Sequence, residues 1–258
     1  MKIGCCAYSY RKHLTSGEMD LNNFVEIVSE LGLDGVELTS YYFPSTDLDY
    51  LHSLKRRCLE VGLDVNGAAV RSRLTQASHS ERAREVSHVK QWIDHTVELG
   101  APQLRVFAGD IPDGHTEEDA FAWTVEALSD CAAVASKRGI VLALENHGGI
   151  TSTADQVIRL VESVNSDWVR VNLDTGNFAI NPFEEISKTV PYSVTAHLKA
   201  SIRTPQGGKT PMDIGKLAST LNNAGYRGFL NIEYEEEEDP KTGVPKLAQQ
   251  IKSALGQL

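Results

Sequence analysis

No stretch of this chain approaches the roughly 20 consecutive apolar residues that a membrane-spanning helix needs. The opening MKIGCCAYSYRKH has too short an apolar run for a signal peptide. With neither segment, no membrane association is expected and the cytoplasm is the expected compartment. The glycine-rich spacings GxGxxG and GxxxxGK[ST] are also missing, which removes the signature of a doubly wound, nucleotide-binding open sheet. Cysteine is sparse: Cys5, Cys6, Cys58 and Cys131 form no CxxC pair, so buried free thiols in a reducing compartment are expected. Basic residues are outnumbered 25 to 35 and scattered along the chain. A net charge of −10 repels phosphate backbones, so nucleic acid is not an expected partner.

What is present is an alternation of short apolar runs with helical patterns over 258 residues, with no linker, repeat or change in composition. Strands are predicted at Lys2–Tyr8, Gly35–Thr39, Asp64–Val70, Leu104–Ala108, Ile140 onward, Val169–Leu173, Val194–Leu198 and Phe229–Glu233. Helices are predicted between and after them, several ending at a glycine, with Ser80 as the cap of the third and Thr153 opening the fifth. Trp92, Trp123 and Trp168 fall at or beside helices and are expected in the core. Eight strand and helix pairs in one domain, residues 1–258, predict a closed (β/α)8 TIM barrel. The outer helices of such a barrel offer faces through which copies could pair as a homo-oligomer.

In this architecture functional groups project from the C-terminal ends of the strands. The run IVLALENHGG ends in Glu145 and His147, VRVNLDTGN in Asp174 with Asn177 beyond it, VTAHLKA carries His197 and Lys199, and FLNIEYE ends at Glu233. A carboxylate at the end of a buried strand is costly unless a positive charge meets it. Three such acids and one imidazole on four successive strands therefore predict a shared divalent metal ion: Glu145, Asp174, His197 and Glu233 as ligands. Mixed carboxylate and imidazole ligation suits Mn, Co, Zn or Fe more than calcium.

Around this set, His147 shares the face of Glu145 and either contacts substrate or bonds within its loop. Lys199 stands in the same relation to His197, holding either a substrate oxygen or a nearby carboxylate. Arg105 and Glu37, on the fourth and second strands, are drawn to the same end, as substrate contacts or as charges that balance the cluster. Tyr8, Tyr41, Arg71 and Arg203 lie in loops that could read hydroxyls or a phosphate. The run Glu235 to Asp239 is expected as a solvated loop or part of the rim.

The order of Glu in LALENHGG, Asp in NLDTGN, His in AHLKA and Glu in GFLNIEYE resembles the xylose isomerase-like TIM barrel superfamily. That group includes ketose 3-epimerases, sugar phosphate isomerases, inosose dehydratase and endonuclease IV. The resemblance spans the barrel and implies a metal-dependent isomerase or epimerase of a small carbohydrate. In it Glu145 and Glu233 act as acid and base as well as ligands, transferring a proton through a metal-stabilised enediolate. A lyase or dehydratase acting on a keto-sugar in the same site, or a sugar-binding barrel without catalysis, would share these residues. The nuclease branch has a histidine three residues after the aspartate, where Asn177 stands here, and an Asp-x-His pair after strand seven that is absent from SIRTPQGGKTPMD.

Overall fold

The computed structural model describes residues 1–257. Its barrel strands are β1 (Lys2–Cys6), β2 (Gly35–Thr39), β3 (Asp64–Ala69), β4 (Gln103–Val106), β5 (Val141–Glu145), β6 (Val169–Asp174) and β7 (Ser193–Leu198). A hairpin of β8 (Ser201–Arg203) and β9 (Lys209–Pro211) follows, and β10 (Phe229–Ile232) completes the barrel. The eight barrel strands are all parallel and close in the order β1-β10-β7-β6-β5-β4-β3-β2. Apolar runs such as VLALE suit this position, because each strand is covered by helices outside and by side chains within.

The helices are α1 (Arg11–Ser16), α2 (Leu21–Glu30), α3 (Leu48–Glu60), α4 (His79–Leu99), α5 (Glu117–Arg138), α6 (Ala154–Val164), α7 (Pro182–Thr189), α8 (Ile214–Asn223) and α9 (Pro240–Leu255). Local chemistry starts several of them. Asp20, Thr116 and Thr153 each accept the backbone N–H three residues on, and that third residue's side chain returns the bond. None of the described helices is long and apolar enough to cross a membrane.

Several boundaries differ from expectation. The first strand stops at Cys6, and Ala7–Tyr10 turn as a 3-10 helix, which carries Tyr8 over the barrel mouth. Ser78 rather than Ser80 caps α4: its hydroxyl accepts from the Glu81 N–H, while Ser80 lies inside the first turn. Short helix α1 and the β8–β9 hairpin are additions to the eight pairs. Trp92 is buried, but Trp123 and Trp168 are only half-buried. Trp123 instead meets His115 edge to face and lies under the Arg82 guanidinium, so it covers a helix surface and not the core. All four cysteines are free and buried.

Inside the barrel, alternate residues of each strand point inward and form layers. One layer holds Asn66, Gln103, Thr195 and Asn231. The next, two residues further along each strand, holds Glu37, Arg105, His197 and Glu233. Asn66 donates across the barrel to Asn231 at 2.8 Å, and Asn231 donates to Thr195 at 3.2 Å. Gly4 makes room for this contact: a Cβ there would lie 2.1 Å from Asn231 Oδ1 and 2.6 Å from Asn66 Nδ2.

Candidate functional site

Glu145 and Asp174 are the last residues of β5 and β6, His197 is the penultimate residue of β7, and Glu233 follows β10. Parallel pairing sets Asp174 opposite His197, and His197 opposite Asn231, two residues before Glu233. The four expected ligands therefore arrive at one height on one side of the mouth. All are buried, and each offers a ligand atom within 4.8 Å of the others.

The imidazole of His197 is held from both sides. Nδ1 faces Glu145 Oε2 at 3.4 Å and Glu233 Oε2 at 3.2 Å, while Nε2 meets Glu37 Oε1 at 2.9 Å. A carboxylate on the far nitrogen fixes the ring and would, with an ion bound, favour the tautomer that turns the Nδ1 lone pair toward it. Glu37 is thus placed behind His197, and it does not line the cavity. Of the two roles expected for it, substrate contact or charge balance within the cluster, this geometry fits the second. Asn172, two residues before Asp174 on the same inward face, donates to Glu145 Oε2 at 2.9 Å. Asn146 clamps the Asp174 backbone, accepting from its N–H at 2.7 Å and donating to its carbonyl at 2.9 Å. Asp174 Oδ1 accepts from the Gly176 N–H at 2.8 Å, and Oδ2 has no hydrogen-bond partner. Gly176 is required for this turn, since a Cβ would meet the Ser201 carbonyl at 2.6 Å and the Lys199 side chain at 2.7 Å.

With every carboxylate ionised and His197 neutral, as metal ligation requires, charge in the cluster does not balance. Four buried carboxylates, Glu37, Glu145, Asp174 and Glu233, face two permanent cations, Arg105 and Lys199. Arg105 reaches Glu145 at 3.2 Å, donates to the Val70 carbonyl and lies over the Phe107 ring. Lys199 Nζ lies 2.5 Å from Glu233 and Glu235 and 3.3 Å from Asp174 Oδ2. With His197 neutral, the buried set is two positive charges short.

The titration behaviour follows from this surplus. Burial, unrelieved by Arg105 and His197, pushes Glu145 up to about 8, and burial also raises Asp174 despite Lys199. Burial opposes charge on His197, yet Glu233, Glu37 and Glu145 outweigh it and hold the imidazolium well above its ordinary range. For Glu233 burial is likewise outweighed, here by His197 and Lys199, and its carboxyl is held well below the usual range. A divalent cation would supply the missing charge, and Asp174 Oδ2, which accepts no hydrogen bond and has only the Lys199 ammonium 3.3 Å away, would be one of its donors. The residues present therefore fit one such ion.

Above the cluster opens a cavity of about 300 Å³. Glu145, Glu233 and Lys199 form its floor with Arg105, and His147, Asn177, Tyr8, Tyr41, Arg71 and Arg203 line its walls. His147 is exposed and packs on Phe107, with ring centroids 4.3 Å apart. Asn177 is half-buried, and its amide nitrogen has no partner. Ser72, Arg73, Asp110, Thr151 and Glu235 line the cavity too and were not expected there by number, apart from the rim role left open for the Glu235 run. Cys6 is the least expected neighbour, its thiol 3.8 Å from Glu233 Oε1. Its one signal was parity: Gly4 and Cys6 share the inward face.

Comparisons with known proteins agree with this fold. D-psicose 3-epimerase solved in the presence of D-fructose superposes with a TM-score of 0.81 at 20% identity, covering 100% of this chain and 98% of that one. D-psicose 3-epimerase with D-tagatose from Clostridium cellulolyticum H10 gives 0.80 at 18% identity, with coverage of 100% and 98%. The IOLI protein with a bound zinc atom gives 0.78 at 17% identity, with coverage of 100% and 97%. At these identities the likeness is one of fold. No curated protein sequence matches the chain. The sequence model of the xylose isomerase-like TIM barrel matches residues 25–254, and the chain belongs to that family.

Proposed function

We propose that this protein is a divalent-metal-dependent isomerase or epimerase of a keto-sugar. The observation that carries the reading is the convergence of Glu145, Asp174, His197 and Glu233, within 4.8 Å of one another, beneath an open cavity. These four residues would hold the ion. Bound there, it supplies Lewis acidity, stabilising negative charge on a substrate oxygen when a proton leaves the neighbouring carbon.

The chain's own groups move the proton. One of the two carboxylates, Glu145 or Glu233, accepts it, and the other returns one to the opposite face or the adjacent carbon. Lys199, with its ammonium 2.5 Å from Glu233, also faces the cavity and can meet a substrate oxygen. Arg105 and Asn172 orient Glu145. Glu37 holds His197 in the required tautomer. The structures of D-psicose 3-epimerase with D-fructose and with D-tagatose support the ketose assignment.

The test is proton exchange. The Mn²⁺-loaded protein incubated with ketoses in deuterated water should place deuterium at the carbon next to the carbonyl, giving products that otherwise keep the mass of the substrate. Glu145→Gln and Glu233→Gln should each slow this by about 10²–10⁴-fold. Full turnover by either variant with metal still bound would refute the two-carboxyl scheme, and a product lighter by one water would point to elimination.

A further inference from the structure

Arginine side chains in this protein are almost all engaged. Arg105 is paired in the floor of the cavity, and on the outer surface Arg57, Arg138 and Arg159 each hold a carboxylate. Arg11 and Arg227 donate to backbone carbonyls. Among the described residues only three guanidinium groups neither approach a carboxylate nor donate a hydrogen bond: Arg71, Arg73 and Arg203. All three line the one cavity above the metal-ligand cluster. Arg71 and Arg73 come from the loop after β3, and Arg203 ends β8 of the hairpin that follows β7.

The same hairpin is tied down by its backbone, the Arg203 N–H donating to the Gly176 carbonyl at 2.9 Å. Arg73 is anchored similarly, its N–H donating to Glu85 at 2.9 Å and its Cα packing beside Gly109. The main chains are therefore placed while the cationic ends are left open. Opposing them on the cavity wall is Asp110; Glu235, the other wall acid, already bonds Lys199. Guanidinium groups present flat, paired donors that match an oxyanion, and three of them with one opposing carboxylate leave a positive wall over a negative floor.

We propose that the substrate carries an anionic substituent, a carboxylate or a phosphate, which Arg71, Arg73 and Arg203 bind while its carbonyl end faces the acidic cluster. This deepens the keto-sugar reading above and rests on it for the identity of the other end. It excludes a neutral ketose as the preferred ligand.

The test is binding to the Mn²⁺-loaded protein, measured by calorimetry at low salt with D-fructose, D-fructose 6-phosphate and D-fructuronate. At least one charged probe should bind about tenfold or more tightly than D-fructose. Which one it is tells phosphate from carboxylate. The preference should shrink as sodium chloride is raised, a reading on the unmodified protein that does not depend on any variant folding. In an Arg71→Gln, Arg73→Gln, Arg203→Gln triple variant the ratio should collapse toward one.

Equal or weaker binding of both charged probes, no binding of either, or a triple variant that keeps the ratio would overturn the proposal. A separate Mn²⁺ titration without sugar and the deuterium exchange above decide the metal and proton-transfer reading. The binding ratio requires no turnover, so the two can fail independently.

Discussion

Two adjoining layers of the barrel interior are equally hidden from solvent and differ in every other respect. The layer of Asn66, Gln103, Thr195 and Asn231 is polar but neutral, and its members bond to one another across the barrel. One turn of the strand period higher, Glu37, Arg105, Glu145, Asp174, His197 and Glu233 are ionisable groups whose charges do not cancel when every carboxylate is ionised and His197 is neutral. Two like charges about 4 Å apart at an effective dielectric near 20 repel by about 4 kcal/mol, whereas a neutral hydrogen bond contributes about 1 kcal/mol. The lower layer also leaves two acceptors unpaired, Asn66 Oδ1 and Gln103 Oε1, but a neutral acceptor costs far less than a surplus charge. Burial of polar groups is therefore not what marks the site. The mark is an excess of carboxylates that, without a metal ion, is met by protons on His197 and Glu145.

The sharpest way to break the contrast is to remove one surplus charge. Asp174→Asn keeps the Oδ1 that accepts from Gly176 while replacing the carboxylate oxygen that faces Lys199 and the other ligands. Mn²⁺ affinity by calorimetric titration should fall more than about 100-fold, beyond the range expected for a group one bond further out. The metal-free variant should melt close to the parent, since relieved repulsion from the other carboxylates offsets the weakened Lys199 contact. A variant that melts clearly lower and binds metal as before would place Asp174 with the neutral layer.

Next comes Glu37→Gln, which leaves the ligands in place and weakens the hold on His197 Nε2. Affinity should drop roughly 10–100-fold with the stoichiometry unchanged. An unaltered affinity would mean that the 2.9 Å contact to His197 is only structural.

The smallest effect on metal should come from the lower layer itself. Gly4→Ala sets a Cβ against Asn231 and Asn66 and should cost about 1–3 kcal/mol of stability by chemical denaturation, with metal affinity within a few-fold of the parent. If it instead abolished metal binding with little loss of stability, the two layers would be one functional unit.

Much of this was legible along the chain. Apolar runs ending in an acid identified β5 and β6, and the order Glu145, Asp174, His197, Glu233 named the cluster, because each strand end is a local pattern. Asn172 was readable in principle by period-two parity with Asp174. Less legible were the charge run at Glu235, whose partner Lys199 comes from β7, and the two-residue shift of the α4 cap from Ser80 to Ser78. Trp123 was misplaced for a similar reason: helical position does not tell which neighbouring surface an indole will cover.

By itself, the sequence determined the alternation of strand and helix, the barrel and the identity of the groups at its mouth, since these follow from periodicity and from where apolar runs stop. Only the tertiary structure decided that Glu37 stands behind His197, that Cys6 touches Glu233 and that three arginines are left open over the cavity. Such facts depend on register between strands and on which charges find partners, and residues such as Glu37 and His197 meet only when the barrel closes.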